Sequence, residues 1–132
     1  ADLIDGGGGS DVLTGGEGMD VLLGGTGRDQ FVFQSVNESP ASGMMDTILD
    51  FNRAEGDLIV VRGIDANPFV SGDQRFAFVG EAAFSGQPGS LRFERTGDGA
   101  LNVLGDVDGD GVADFAVLVR GTATLTASDF LL

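Results

Sequence analysis

The sequence predicts an all-β protein in which a coil of short parallel strands is followed by a longer region of antiparallel strands. Two observations predict this class. Residues 6–32 repeat with a period of nine, and every repeat carries one large apolar residue at a fixed place. Residues 33–132 contain short runs rich in β-branched and aromatic residues, separated by Gly, Pro, Asn and Asp. Helical signals are limited to a turn near 81–84 and a capping box formed by Thr126 and Asp129.

Composition excludes several classes of function. The chain has 132 residues, with 7 basic and 21 acidic side chains and a formal net charge of -14. Such a chain is a poor partner for nucleic acid or an anionic membrane, and cations are its natural counterparts. Cys and His are both missing, and no H-E-x-x-H or G-x-S-x-G motif occurs, so we expect no catalysis. No apolar stretch is long enough to span a bilayer, so we expect no membrane insertion.

The opening repeat fits the pattern G-G-x-G-x-D-x-U-x, where U is a large apolar residue. Three copies cover 6–14, 15–23 and 24–32, and residues 2–5 supply the end of an earlier copy, which suggests a fragment of a longer protein. The pattern is a signature of calcium-binding parallel β-helices. Glycine permits the positive φ that crowds carbonyl oxygens around a hard cation. A flexible linker is the alternative, but a linker has no reason to keep aspartate and an apolar residue in register. The recurring residues are Asp2, Asp11, Asp20 and Asp29, with Ile4, Leu13, Leu22 and Phe31.

These repeats resemble those of the RTX family of secreted proteins, which coil into a β-roll with two nonapeptides per turn. The resemblance implies several calcium ions, each between loops eighteen residues apart. One full site is implied at Gly7, Gly9, Asp11, Gly24, Thr26 and Asp29. A second is implied at Asp2, Gly15, Glu17 and Asp20, with its remaining carbonyls before Ala1.

After Val32 the nonapeptide stops, and the stretch "DQFVFQSVNESPASGMMDTILDFNRAEGDLIVV" is similar to the block that closes the β-roll of serralysin-type proteases. The resemblance implies a calcium-binding parallel β-roll at 1–32, followed at 33–132 by a capping antiparallel β-sandwich-like region, together one compact unit. Acidic residues of the block would complete sites left open by the last repeats, although they could also be ordinary turn carboxylates. The residues concerned are Gly16, Gly18, Gly25 and Gly27, with Asp46 and Asp50 preferred and Asp57 behind them.

A separate calcium candidate lies in "GDVDGDGVADF". Carboxylates at positions one, three and five and glycine at six form the first half of an EF-hand-like loop. Position twelve is Val117, so a true EF-hand is excluded. The loop is more similar to the shorter ones of integrin-type propellers; a solvated acidic hairpin turn is the alternative. The candidate ligands are Asp106, Asp108, Asp110, Asp114 and the carbonyl of Val112.

The chain ends in Ser128–Leu132, an acidic residue followed by three apolar ones. This segment resembles the C-terminal signal of serralysin-like proteins exported by the bacterial type I machinery, and it could equally form a last strand that buries its apolar residues. The sequence thus predicts a secreted, extracellular, non-catalytic module that folds on binding calcium and assists an upstream domain of a larger exoprotein. The alternative is a module that binds an alginate-like polysaccharide, with help from Arg28, Arg92 and Arg95.

Overall fold

The computed structural model describes residues 1–132 as eleven short β-strands and two 3₁₀ turns, at Val36–Glu38 and Ala127–Asp129. The all-β class predicted from the sequence is confirmed. The strands are β1 (Leu3–Asp5), β2 (Val12–Leu13), β3 (Val21–Leu23), β4 (Gln30–Val32), β5 (Asp46–Ile48), β6 (Leu58–Val60), β7 (Ala77–Phe78), β8 (Ser90–Arg95), β9 (Leu101–Asp106), β10 (Phe115–Val119) and β11 (Phe130–Leu131).

The repeats alternate between two sheets, as a β-roll requires. One sheet has seven strands in the order β1-β3-β5-β10-β9-β8-β7, and the other has four in the order β11-β6-β4-β2. Within each sheet the repeat strands are parallel, with Leu3 opposite Val21 and Val12 opposite Gln30. The alternation of side chains turns one apolar residue per repeat inward. Leu13, Leu22 and Phe31 are therefore buried in the core, and the predicted parallel roll is confirmed.

The parallel roll continues beyond the last nonapeptide. Strand β5 pairs with β3, and β6 pairs with β4, both in parallel. Ile48 and Ile59 are fully buried and extend the inner apolar column of the two sheets. The roll therefore gains another turn without a glycine pair, and the boundary at residue 32 marks the end of the sequence repeat. The division into two regions stays a prediction.

The antiparallel part of the fold is the meander β8-β9-β10, which extends the seven-stranded sheet of the roll. Strand β10 is parallel to β5 but antiparallel to β9, so it joins the two parts of the sheet. Phe33, just after the repeats, packs edge-on against Phe115 of β10 at a centroid distance of 5.3 Å. Apolar residues of the repeats and of the later strands thus share one core.

Both 3₁₀ turns are three residues long. The second begins at the predicted capping box, where the N–H of Thr126 donates to Oδ2 of Asp129 at 2.7 Å. At 81–84 the structure has a turn at Gly80–Glu81 and no helix. No helix of this chain could cross a membrane.

Candidate metal centres

The loops that join the strands of the roll stack closely on one another. The loop of the first repeat lies against that of the third, where the N–H of Thr26 donates to the carbonyl of Gly7 at 2.9 Å and the N–H of Gly9 donates to the carbonyl of Thr26 at 2.8 Å. Gly25 and Gly27 have positive φ, and a Cβ at either would overlap the carbonyl oxygen of Gly7 or Gly9. Only glycine fits these two positions, because its lack of a side chain lets the carbonyl oxygens of Gly7 and Gly9 approach the backbone of the facing loop.

Aspartates of successive turns form two hydrogen-bonded rows. In each row the backbone N–H of one aspartate donates to Oδ1 of the aspartate one turn further along the chain. The first row runs from Asp2 to Asp20 at 2.6 Å and on to Asp46 at 2.8 Å. The second row runs from Asp11 to Asp29 at 2.9 Å and on to Asp57 at 3.0 Å. One oxygen of each accepting carboxylate is thereby occupied.

The second oxygen of most of these carboxylates has no partner. The Oδ2 atoms of Asp11, Asp20, Asp29 and Asp46 are all buried without a hydrogen bond. An unsatisfied buried acceptor costs about 1–3 kcal/mol, and more when it carries charge. A hard cation that accepts oxygen ligands in flexible geometry removes this penalty, and backbone carbonyls are at hand in the same loops. The residues therefore fit calcium.

Burial also changes the acidity of the rows. Desolvation is the main cause that raises the pKa of Asp46 to about 6, and the neighbouring charge of Asp20 adds to it, while the N–H that Asp20 donates acts in the opposite direction. Desolvation likewise raises the pKa of Asp57. A cation beside Asp46 would reverse this effect because opposite charge favours the ionised carboxylate.

The structure gathers the residues of the first predicted site in one pair of stacked loops: Gly7, Gly9 and Asp11 in the first repeat, and Gly24, Thr26 and Asp29 in the third. For the second, it joins Asp2 to Asp20, while the terminal ammonium lies 3.8 Å from Oδ1 of Asp20. A Cβ at Gly15 would lie 2.7 Å from Oδ2 of Asp20 and 3.1 Å from Oδ2 of Asp46. Asp46 and Asp20 therefore face the same loop, which begins at Gly15. This loop also holds Glu17 and the positive-φ residues Gly16 and Gly18.

Asp50 lies elsewhere than in the aspartate rows. Its two oxygens accept the N–H groups of Gly24 and Gly25, each at 2.9 Å. Glu55 accepts the N–H of Gly27 at 3.2 Å. The loop at 50–57 thus covers the last repeat with carboxylates that hold its backbone amides. The residue that continues the row is Asp57, whose Oδ2 accepts the N–H of Asn52 at 2.9 Å.

Sequence reasoning missed how the other row ends. The N–H of Asp46 donates to Oγ of Ser39 at 2.7 Å, and the Ser39 hydroxyl donates to the carbonyl of Ala116. Ser39 is fully buried and links the row to strand β10. Nothing in the spacing of Ser39 relative to the repeats indicates this role. Asp57, which was named behind Asp46 and Asp50, does have a signal in the sequence. An apolar run at 58–60 follows it directly, as Val21 follows Asp20 in the repeats.

A family model described as the Peptidase M10 serralysin C terminal matches residues 5–132 of the chain. The chain belongs to this serralysin C-terminal family. The solved structures that are similar to the chain include two subunits of the Azotobacter vinelandii mannuronan C5-epimerase. The AlgE6R3 subunit has a TM-score of 0.67 at 30% identity over 98% of this chain and 67% of that one. The AlgE6R2 subunit has a TM-score of 0.70 at 30% identity over 100% of this chain and 76% of that one. No curated protein matches the chain.

The family membership decides the class of the roll. The chain is an RTX-type calcium-binding β-roll module of the kind found in serralysin-like and epimerase-like proteins, and it is the repeat module rather than a catalytic unit. The resemblance drawn from the repeats and from the closing block is confirmed.

This member of the serralysin C-terminal family also has an acidic cluster at the tip of its β9–β10 hairpin. Carboxylate oxygens of Asp106, Asp108 and Asp114 lie within 4.8 Å of one another. Asp106 is fully buried, and its oxygens accept the N–H groups of Gly109 and Gly111 at 2.8 and 2.9 Å. Burial is the main cause that raises the pKa of Asp114, whose Oδ2 accepts the N–H of Val107 at 2.9 Å.

The other two predicted members of the hairpin loop lie apart from this cluster. Oδ1 of Asp110 accepts the N–H of Val112 at 2.8 Å, and the Val112 side chain is exposed. The carboxylate of Asp110 is not among the three that converge. A cation at this tip would therefore take its carboxylate ligands from Asp106, Asp108 and Asp114.

Proposed function

We propose that the chain folds when it binds calcium outside the cell and supports the type I secretion and the folding of a larger bacterial exoprotein. The observation that carries the proposal is the set of buried, unpartnered Oδ2 atoms of Asp11, Asp20, Asp29 and Asp46. Without a cation these carboxylates are buried with an unsatisfied oxygen each, in a chain whose formal charge is already -14. The roll thus depends on a ligand that its own side chains cannot replace.

The proposed sites follow the stacked loops. The first takes the carbonyls of Gly7, Gly9, Gly24 and Thr26 with the carboxylates of Asp11 and Asp29. The second joins Asp2 and Asp20 with carbonyls of Gly15 and Glu17. A third joins Asp20 and Asp46 with carbonyls of Gly16 and Gly18. A fourth joins Asp29 and Asp57 with carbonyls of Gly25 and Gly27, and a hairpin site joins Asp106, Asp108 and Asp114.

Calcium concentration would then decide where the chain folds. Ordering a glycine-rich segment costs more backbone entropy than ordering any other, and the acidic rows repel one another. Both costs keep the repeats unfolded where calcium is scarce. Extracellular calcium modules bind at about 10⁻⁴ to 10⁻³ M, and binding to the folded state alone stabilises it by mass action. Bound calcium supplies the positive charge that the rows lack. Folding outside would discourage return into the channel and help an upstream domain to fold.

The export role is tested by deletion. A secreted fusion that carries the chain at its C-terminus should lose export through a type I exporter when Ser128–Leu132 is removed. The control is a fusion in which the five exposed residues 69–73 are replaced by alanine, so that the same number of residues is changed. Export of the deletion at the level of this control would contradict the role.

A second candidate function, binding of an acidic polysaccharide, is favoured by one surface. A groove of about 400 Å³ crosses the outer face of the four-stranded sheet, and no carboxylate lines it. Its lining residues are Val12, Gln30, Val32, Gln34, Val60, Arg62 and Gly63. Amides, a guanidinium and an aliphatic floor suit a sugar acid, and two of the similar structures are subunits of an enzyme named for mannuronan.

The three arginines that the sequence offers for polysaccharide binding already have partners in the structure. Arg28 donates to the carbonyl of Gly56, while Arg92 and Arg95 pair with Glu94 and Glu81. We propose Arg62 in place of these three arginines. In a calorimetric titration with oligouronates, Arg62→Gln should weaken binding and Arg75→Gln should not. Absence of binding to the unchanged chain would remove this candidate.

A further inference from the structure

The last seven residues form a strap that closes the four-stranded sheet. We define the C-terminal strap as residues 126–132. Its strand β11 pairs in parallel with β6, with Phe130 opposite Ile59. The carbonyl of Leu131 accepts the N–H of Val61 at 3.0 Å. Phe130 is 5% exposed, and its ring lies 4.9 Å from that of Phe78. The strap therefore completes the core as well as the sheet.

Arg53 of the roll forms hydrogen bonds with two residues of this strap. Nε of Arg53 donates to both oxygens of Asp129, at 2.8 and 3.0 Å. Its NH2 group donates to Oγ1 of Thr126 at 3.3 Å. The Asp129 side chain is 9% exposed, whereas the carboxylates paired with Arg92, Arg95 and Arg120 are 49% to 61% exposed. Surface pairs contribute little, but removing one partner of a buried pair leaves a charge that is costly to bury. The contact of Arg53 with Asp129 is thus the arginine pair with the most buried carboxylate in the chain.

Arg53 is positioned by the loop that covers the calcium-binding repeats. It lies in the 50–57 loop, in which Glu55 accepts the N–H of Gly27 and Asp57 accepts the N–H of Asp29. The place of Arg53 therefore depends on the last repeat loop being folded. When that loop is disordered, Asp129 therefore loses its partner. Strand β6, on which β11 pairs, directly follows the 50–57 loop and itself pairs with β4 of the last repeat.

We propose that folding of the roll docks the C-terminal strap through Arg53 and withdraws Asp129 and Phe130 from the surface, while Leu131 and Leu132 become half-buried. The segment is then readable by an exporter only in the calcium-free, unfolded chain, and folding outside the cell masks it. This inference rests on the export role proposed above, because it assigns the same segment an accessible state in the unfolded chain and a masked state in the folded chain. The two interpretations of the C-terminal residues, a signal and a last strand, both hold in succession.

Masking is tested by hydrogen–deuterium exchange of the whole chain in saturating calcium, followed on a peptide that covers 126–132. The amides of the strap should be protected in the unchanged chain. Arg53→Gln should speed their exchange about tenfold or more, since hydrogen bonds to charged groups are among the strong ones, while the amides of the repeats keep their protection. Arg75→Gln is the control, because it removes the same charge from an exposed side chain with no partner. Equal exchange of the strap in the two variants would overturn the proposal, as would a strap that exchanges freely in the unchanged chain.

The link to export is tested by binding of the same chains to a type I exporter in nanodiscs. The unchanged chain should bind in chelator and not in calcium, and Arg53→Gln should regain measurable binding in calcium. Failure of the chelated chain to bind would contradict the export role while leaving the exchange result to decide masking. If Arg53→Gln frees the strap but still fails to bind in calcium, masking does not control access and the proposal fails.

Discussion

Asp46 should make the calcium-free chain more stable in mild acid than at neutral pH. Its pKa rises from 3.8 to about 6, mainly because burial disfavours the charged form. The folded chain therefore holds this proton more tightly than the unfolded chain does, so the free energy of unfolding falls as the pH rises from about 4 to about 6. At about 1.4 kcal/mol per pKa unit, Asp46 alone costs the calcium-free fold about 3 kcal/mol at pH 7.

The substitution Asp46→Asn isolates this effect. An amide oxygen can still accept the N–H of Asp20, which Oδ1 accepts at 2.8 Å, but the buried charge is gone. The calcium-free variant should therefore be more folded at pH 7, by up to roughly a hundredfold in the folded-to-unfolded ratio. In calcium the sign reverses, because the variant has lost a charged ligand and should gain less stability from the ion.

Circular dichroism in calcium-free buffer, between pH 7 and pH 5, measures the effect directly. The unchanged chain should gain β-structure on acidification, and Asp46→Asn should show that gain already at pH 7. Asp73→Asn, which removes the same charge from an exposed position, is the control. Asp46 would not have the predicted effect if the unchanged chain lost structure on acidification over this range, or if Asp46→Asn were less folded than the control at pH 7.

Three further experiments test the loops. Gly27→Ala should lower the melting temperature in saturating calcium far more than Gly9→Ala. Both positions have positive φ, which costs alanine about 1–2 kcal/mol, but only at Gly27 would the new Cβ overlap a carbonyl oxygen. Equal losses of melting temperature would contradict the stacking of the two loops. Asp29→Asn should reduce the calcium stoichiometry measured by calorimetry and raise the calcium midpoint of folding, and an unchanged stoichiometry would remove Asp29 from the sites. Asp108→Asn should remove one ion while leaving the dichroism spectrum unchanged, and a full complement of ions would show that the hairpin holds none.

The repeats made the first four strands of this fold predictable. A period of nine places Asp29 two repeats after Asp11 and Phe31 two repeats after Leu13. The structure pairs each of these two couples in the parallel register that this spacing requires. The physical reason is local, because each repeat has the same turn and the same inward residue. Every further repeat therefore repeats the geometry of the one before it.

The end of the roll could not be predicted in the same way. Asp57 follows Asp29 by 28 residues and Asp46 follows Asp20 by 26, so neither keeps the repeat spacing of 18. Their places depend on strands β5 and β6 pairing with the roll, which is a long-range contact that local pattern does not encode. The role of Ser39 depends in addition on the carbonyl of Ala116 in β10.

The calcium dependence of folding is tested most directly by a calcium titration of the whole chain at pH 7, followed by far-ultraviolet circular dichroism and thermal unfolding with a chelator control. We expect a largely unfolded chain in chelator and a cooperative gain of β-structure near millimolar calcium, with a melting temperature that rises with calcium concentration. A chain that is equally folded, with the same melting temperature, in chelator and in calcium would contradict this dependence.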